Sequence, residues 1–251
     1  MAVASSGCNW VLNPPFSSSK IKPFISPSSS HFRCRNSQQN SVAAEYHSTT
    51  TVADTVMADI QNSGIIACLR AQSVEVAIEA ARAALRGGIS VLEVVMSTPG
   101  VFEVLQCLVK EYPSTSIGVG TVLDRGDAKN AIRLGAKFLM SPAMVKILFA
   151  SNAGAKIVKV YPVSALGGVR YIAAIKKPFP RIPMVASQGI TIDSLSQYIA
   201  EGASSVVLSD AIFDKEAMGQ RNFDRVNQLA CFAAFQGNEA VERRRTRDRL
   251  S

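Results

Sequence analysis

The sequence predicts an α/β fold, a (β/α) barrel of the TIM type in which seven strands are legible. From Asp54 onward, short apolar runs alternate with amphipathic stretches at intervals of roughly 20–26 residues, the spacing of strand–helix units in a parallel sheet. The units are uniform in length, and no glycine-rich nucleotide-binding loop follows the first strand, which favours a barrel over an open doubly wound sheet. A complete barrel has eight strands, so either this barrel closes with seven strands or one strand-plus-helix unit is missing.

The strand predictions rest on short apolar runs, rich in β-branched residues, that are bounded by turn residues. In chain order they are 65–70, 89–95, 116–121, 137–141, 156–162, 182–187 and 205–209. The helix predictions rest on apolar residues three and four positions apart, at 74–86, 101–111, 127–134 and 194–200, several of them followed by a glycine in the C-cap region. The segment 142–155 has room for one helix and its turns, but for no strand.

Residues 1–53 have the composition of a targeting leader. They contain twelve Ser and a single acidic residue, Glu45, and lack the apolar core of a secretory signal. A Ser-rich, acid-poor, mildly basic leader that opens on Ala and Ser is typical of a chloroplast transit peptide, so we expect a disordered leader and a mature protein in the plastid stroma. An ordinary disordered tail is the alternative. Both histidines, His31 and His47, lie in the leader, which argues against His-based triads and metal sites in the mature protein.

The net charge of +8 is carried mainly by the two ends of the chain. Residues 1–53 and 242–251 contribute +3 each, whereas residues 54–241 contribute only +2. We therefore expect a nearly neutral barrel over 54–241 and a basic disordered tail over 242–251, with no nucleic-acid and no membrane partner. The five cysteines form no CxxC pair, which argues against a disulfide framework and against a Cys-ligated zinc site.

Three charged side chains are predicted to point into the barrel. Side chains alternate between the faces of a strand, and barrel enzymes use inward side chains at the carboxyl ends of their strands. The alternation groups Arg70 with Ile66 and Cys68, Glu93 with Val91 and Val95, Thr121 with Ile117 and Val119, and Lys159 with Ile157 and Tyr161. Lys156 falls on the opposite face from Lys159, towards the outer helices.

Charges inside a barrel are costly unless they are paired or functional, and Lys159 and Glu93 could form a purely structural ion pair. A desolvated lysine, however, loses its proton more readily and can form a Schiff base with a ketone. A nearby glutamate can then move protons in the carbinolamine and enamine steps. The Thr121 hydroxyl can donate a hydrogen bond to an oxyanion. The Arg70 guanidinium can bind a carboxylate through two parallel hydrogen bonds. These residues leave two interpretations open: a structural ion pair, or a lysine nucleophile that needs neither a metal nor an organic cofactor.

Five short motifs follow one another in this part of the chain. They are Val91-Leu92-Glu93-Val94, Gly120-Thr121-Val122, Met140-Ser141-Pro142, Val158-Lys159-Val160-Tyr161-Pro162 and Leu166-Gly167-Gly168-Val169. Their order and spacing resemble the KDPG/KHG aldolase family, the 2-keto-3-deoxy-6-phosphogluconate (KDPG) aldolases. The resemblance spans roughly residues 58–213.

The resemblance implies a class I aldolase, usually a homotrimer, that cleaves a 2-keto-3-deoxy-6-phospho sugar acid to pyruvate and glyceraldehyde 3-phosphate. By position, Lys159 matches the Schiff-base lysine and Glu93 the general acid/base. The implied substrate contacts are Arg70, Thr121, Pro142, Tyr161, Gly167, Gly168, Ser187, Gly189 and Ser209.

The chain departs from the family pattern in three places. Ser97 replaces a basic residue that usually follows the glutamate by four positions. Ser187-Gln188-Gly189 replaces a Thr-Gly-Gly type turn, and Asp210 follows the last strand. A related pyruvate-releasing lyase with a different substrate is therefore an alternative. Only 16 residues separate Pro142 from Lys159, where the family has a further strand. A shortened, non-catalytic isoform that binds or regulates other subunits is a third possibility.

Overall fold

The computed structural model describes residues 51–141 and 154–250. The helices are α1 (Val52–Ser63), α2 (Val74–Arg86), α3 (Val101–Glu111), α4 (Arg125–Arg133), α5 (Val169–Lys176), α6 (Leu195–Ala200), α7 (Lys215–Gly219) and α8 (Phe223–Leu250). The strands are β1 (Ile65–Leu69), β2 (Val91–Val95), β3 (Ser116–Gly120), β4 (Phe138–Met140), β5 (Val158–Val160), β6 (Met184–Ser187) and β7 (Ser205–Leu208).

The seven strands of the described residues form one parallel sheet in the order β4-β3-β2-β1-β7-β6-β5. Rolled up with helices outside, this sheet is a nearly closed α/β barrel that lacks one unit, as the sequence predicts. The opening lies between β4 and β5, which are the two edges of the sheet. The strands and helices therefore follow the predicted alternation, and the missing unit falls where the strand count placed it.

The strands bury both faces, as is usual for a parallel sheet covered by helices. Every residue of β1, β2 and β3 is buried. Outward side chains such as Ala67, Leu92 and Val94 pack with α2 and α3 in a large outer core. Inward side chains such as Ile66, Val91 and Val185 form a smaller inner core. The inner core therefore fills the barrel, and the outer core joins it to its helices.

The predicted inward face of β3 is wrong. Ile117 and Val119 belong to the outer core, and the registered neighbour of the inward Glu93 is Gly118. The inward residues of β3 are thus small, Ser116, Gly118 and Gly120, because larger side chains from neighbouring strands occupy the space in front of them. Thr121 comes after the strand in a left-handed conformation with φ 60°, so strand alternation does not govern its direction.

Helix α1 closes the barrel at the amino-terminal ends of the strands. Val56 and Ile60 of this helix belong to the inner core, and Ser116 at the start of β3 donates a hydrogen bond to Asp59. Thr51 caps α1 through a capping box with Asp54. The domain boundary expected after residue 53 is therefore wrong in detail, because it falls inside the first turn of α1.

The basic end of the chain is helical as far as Leu250, so the disordered tail expected from residue 242 is wrong for 242–250. Its arginines bind carbonyl groups at the end of α6: Arg244 donates to the oxygen of Ala203 at 2.7 Å, and Arg247 donates to that of Ala200. These contacts anchor the last turns of α8 to the barrel.

Within the described ranges, no helix combines the length and the apolar character needed to cross a bilayer.

The opening in the sheet predicts unequal protection of the backbone amides. Among the described strands, β4 and β5 each have one hydrogen-bonded neighbour, whereas β1 and β2 lie between two. We therefore expect the amides of β4 and β5 to exchange through smaller openings than those of β1 and β2. Native-state hydrogen exchange read by mass spectrometry measures this order. Equal protection of β4, β5 and β1 would contradict an opening at that place.

Candidate active site

A lysine and a glutamate meet inside the barrel. Lys159 lies in the middle of β5 and Glu93 in the middle of β2. The Nζ atom of Lys159 donates to both carboxylate oxygens of Glu93, at 3.1 Å to Oε1 and 3.0 Å to Oε2. The Glu93 side chain is 2% exposed and that of Lys159 is 21% exposed. The structure thus brings together the two residues that the sequence selected as catalytic candidates.

The burial of this pair makes each charge depend on the other. Removing one partner of a buried ion pair leaves an uncompensated charge, at a cost of about 3–5 kcal/mol. The partly exposed Nζ end is also open to a small molecule that enters the barrel. The arrangement therefore suits an amine nucleophile with a carboxylate at hydrogen-bonding distance that can accept its proton.

Gly120 on β3 makes room for the Glu93 carboxylate and Gly118 makes room for Phe138 of β4, and neither glycine is among the site residues predicted from the sequence. A Cβ atom on Gly120 would lie 1.8 Å from Oε1 of Glu93, and one on Gly118 would lie 2.5 Å from the backbone oxygen of Phe138. Any larger residue at position 120 would displace the Glu93 carboxylate. The alternation of small and large residues from Ser116 to Gly120 was the available signal. The prediction that large apolar residues face the barrel interior assigns this alternation the opposite phase.

Cys68 is the inward neighbour of Glu93 on β1. Burial, together with the negative charge of Glu93, raises the pKa of the Cys68 thiol to about 12. The thiol therefore stays protonated at neutral pH and is no rival nucleophile to Lys159. Among the described residues there is also no cluster of three or more His, Cys, Asp or Glu side chains able to hold a metal ion.

Several other predicted site residues stand at the same end of the barrel, where the strands finish. Arg70 follows β1 and is exposed, and Thr121 follows β3 half-buried. Tyr161 follows β5, is 63% exposed and precedes a cis proline. All three therefore lie at the carboxyl-terminal end of the barrel, where barrel enzymes have their active sites. Pro142 lies outside the described residues.

The remaining predicted contacts come from the last three strands. Ser187 is a buried residue at the end of β6, in register with the inward Val207. Gly189 lies two residues further on, with φ 71°, against Ser164 of the preceding loop. The Ser209 hydroxyl, after β7, donates to the backbone oxygen of Cys68 at 2.9 Å. Gly167 and Gly168 form the turn that leads into α5.

The fold and this site define the class of protein: an α/β-barrel enzyme with an amine and a carboxylate in contact inside the barrel. The comparison with known proteins gives the family. The chain belongs to the KDPG and KHG aldolase family, whose model matches residues 56–151 and 143–229. It is therefore an aldolase, a lyase.

Three relatives illustrate the similarity. The KHG/KDPG aldolase of Escherichia coli strain K12 is 24% identical over 200 residues, covering 71% of this chain and 91% of the relative. The 2-dehydro-3-deoxy-phosphogluconate aldolase of Pseudoalteromonas atlantica is 28% identical, covering 68% and 91%. Among solved structures, the KDPG aldolase of Legionella pneumophila with pyruvate captured as a covalent carbinolamine has a TM-score of 0.65 and 25% identity, covering 70% and 96%.

The alignments also measure what the chain lacks. The alignment with the Escherichia coli protein has 200 positions but takes in 71% of the 251-residue chain, which is about 178 residues. About 22 positions of that alignment therefore have no counterpart in this chain. This deficit has the size of one strand-plus-helix unit, in agreement with the opening between β4 and β5.

Replacing Gly120 by Ala tests the close packing around Glu93. The added methyl group would collide with the carboxylate, so we expect Gly120→Ala to destabilise the protein by about 1–3 kcal/mol and to move Glu93 away from Lys159. Chemical denaturation and lyase activity measure the two effects. Gly219→Ala is the matched control, because a Cβ atom there meets nothing within 4 Å. A Gly120→Ala protein as stable and as active as this control would contradict the packing.

Proposed function

We propose that the chain is a class I aldolase that cleaves a 2-keto-3-deoxy sugar acid to pyruvate and an aldehyde, with Lys159 as the covalent nucleophile. One observation carries the proposal: Nζ of Lys159 lies 3.0 Å from the carboxylate of Glu93 inside a barrel of the aldolase family. The covalent pyruvate in the Legionella pneumophila relative supports the same chemistry.

The reaction follows from these two groups. Glu93 takes a proton from the Lys159 ammonium, and the free amine attacks the ketone carbon C2 of the substrate. Glu93 gives this proton to the carbinolamine hydroxyl, which leaves as water, so that Glu93 is again a carboxylate and the product is a protonated Schiff base. The positive charge of the Schiff base attracts electrons from the bond between C3 and C4. Glu93 accepts the proton of the C4 hydroxyl as this bond breaks, which releases the aldehyde and leaves an enamine. Return of the proton to C3, followed by addition of water at C2, releases pyruvate and regenerates the lysine.

Two other residues at the carboxyl-terminal end of the barrel have substrate-binding roles in this proposal. Arg70 would pair with the carboxylate of the keto acid, and the Thr121 hydroxyl would bind the same end. The name of the Pseudoalteromonas atlantica relative contains a phosphorylated substrate, 2-dehydro-3-deoxy-phosphogluconate. With that substrate, the second product would be glyceraldehyde 3-phosphate. The proposal includes a homotrimer, as the resemblance implies, and a location in the plastid stroma, as the leader implies.

The two edge strands of the described sheet, β4 and β5, favour a second candidate, a non-catalytic subunit. Edge strands offer free backbone groups to another chain, and both edges here flank the place of the missing unit. A shortened chain of this kind could bind intact subunits without turning over substrate. Covalent trapping of pyruvate separates the two candidates because it identifies the nucleophile directly.

Reduction with borohydride in the presence of pyruvate should fix pyruvate on Lys159. Peptide mass mapping locates the adduct, and Lys159→Ala should abolish it. Lys156→Ala is the matched control: Lys156 is exposed and lies three residues before Lys159, so the adduct should persist. A folded protein without an adduct at Lys159 would refute the proposed function and favour the non-catalytic subunit.

Replacing Glu93 by Gln should separate proton transfer from nucleophile placement. Glutamine keeps the shape and can accept a hydrogen bond from Lys159, but it takes no proton. We expect kcat for aldol cleavage to fall roughly 10²–10⁴-fold, the usual contribution of a general acid/base. The thermal midpoint and circular dichroism spectrum of the variant report its folding. A folded Glu93→Gln protein with unchanged kcat would remove Glu93 from the mechanism.

A further inference from the structure

The strand that carries Lys159 depends on a single neighbour. β5 has three residues, Val158–Val160, and within the described part of the chain its only hydrogen-bonded neighbour is β6, where Val185 lies opposite Lys159. Any contact that joins β5 to β6 beyond these three residues therefore helps to determine where the Lys159 amine lies relative to Glu93. This placement matters for catalysis if that amine is the nucleophile, so what we infer here rests on the proposed function.

The attachment of the chain to β6 continues after β5 ends. The backbone N–H of Val163 donates to the carbonyl oxygen of Ser187, the last residue of β6, at 2.9 Å. Val163 is fully buried, and its own carbonyl oxygen accepts a hydrogen bond from the N–H of Gly168 at 2.9 Å. The loop that follows Lys159 is thus held to the end of β6 while it turns towards α5.

A side-chain hydrogen bond joins the loops that follow these two strands. The hydroxyl of Ser164, five residues after Lys159, donates to the amide oxygen of Gln188, the first residue after β6. The two loops are in close contact here, because a Cβ atom on Gly189 would lie 2.7 Å from Cβ of Ser164. We call the bond between Ser164 and Gln188 the cross-loop hydrogen bond.

The backbone of Gln188 is strained at this bond. Its φ is 85°, in the left-handed region that residues with a side chain rarely adopt. Such residues persist where the surrounding structure fixes them, and they cluster at active sites and ligand clamps. Gln188 is exposed, so burial of its side chain does not account for its presence. A glycine would adopt this conformation without strain, but it has no side chain to accept the hydrogen bond from Ser164.

We infer that Gln188 is a positioning residue, which acts through Ser164 to hold the end of β5 against β6 and thereby keeps the Lys159 amine at Glu93. β2 and β5 share no hydrogen bond, so the 3.0 Å contact between Lys159 and Glu93 requires each strand to be held separately. β2 lies between two described strands, whereas β5 has β6 alone. A reacting group displaced by about 1 Å can lose roughly 10²-fold in rate, so a small movement of β5 has a measurable effect.

The rate of pyruvate capture on Lys159 under borohydride measures the placement of the amine. With the full chain at saturating pyruvate, we expect Gln188→Gly and Ser164→Ala each to slow adduct formation by about tenfold or more, in protein whose Tm confirms folding. The double variant should be no slower than the slower single variant, because both changes remove the same bond. Losses that multiply in the double variant, or an unchanged rate in either single variant, would overturn the inference.

Arg221→Gly is the matched control for the change of backbone. Arg221 is also exposed and left-handed, with φ 55°, but it lies between α7 and α8, away from the loops after β5 and β6. Both glycine variants exchange a strained residue for one without strain, whereas only Gln188→Gly should slow adduct formation. An equal loss of rate in Arg221→Gly would assign the effect to the added glycine and refute a role of the cross-loop hydrogen bond.

Hydrogen exchange separates this inference from the proposed function, because it requires no chemistry at Lys159. Gln188→Gly should speed amide exchange in the segment 158–163 by about tenfold and leave that of β1 unchanged. If the unaltered protein captures no pyruvate while this exchange changes as expected, only the proposed function fails. Unchanged exchange in Gln188→Gly would refute the positioning role, whether or not the protein captures pyruvate.

Discussion

A carboxylate and an ammonium that leave water for a protein interior lose their hydration, and only their mutual contact compensates for that loss. In this protein the contact joins Glu93 on β2 to Lys159 on β5, across the inside of the barrel. Two other features follow from it. Position 120 has to be glycine because the carboxylate occupies the space of its side chain, and β5 has to stay within reach of β2 although the two strands share no hydrogen bond.

The missing unit does not disturb this contact, and the sheet order explains why. β5 is positioned by β6, and through it by β7 and β1, so its place relative to β2 is set from the side of the barrel away from the opening. Loss of a whole strand-plus-helix period also keeps the later strands parallel and in the same phase, because the chain returns to the sheet from the same side. The inward direction of Lys159 is therefore preserved even though β4 and β5 are left as edges.

The sequence predicted those parts of the structure that follow from local periodicity. The bounds of α2 and α3 agree with the 3.6-residue pattern, and the alternation along β2 and β5 placed Glu93 and Lys159 inside. The same alternation failed on β3, since Ile117 and Val119 pack against helices while glycines face the barrel, and both faces of such a strand are buried. The helical end of α8 is not predicted because its many charges suggest disorder. Arg247 finds a carbonyl partner at the last residue of α6, and Arg244 finds one in the turn that follows, and local sequence cannot reveal such distant partners.

The capping box at Thr51 has a consequence for how much of the amino-terminal region a working enzyme can lose. Thr51 and Asp54 satisfy backbone amides at the start of α1, and α1 covers the floor of the barrel with Val56 and Ile60. A protease that cuts before Thr51 leaves this floor intact. A cut after it removes the cap, at a cost of about 1 kcal/mol, and lets the first turn unravel over the inner core. Any proteolytic shortening of the polypeptide from its amino-terminal end thus has a physical limit at residue 51.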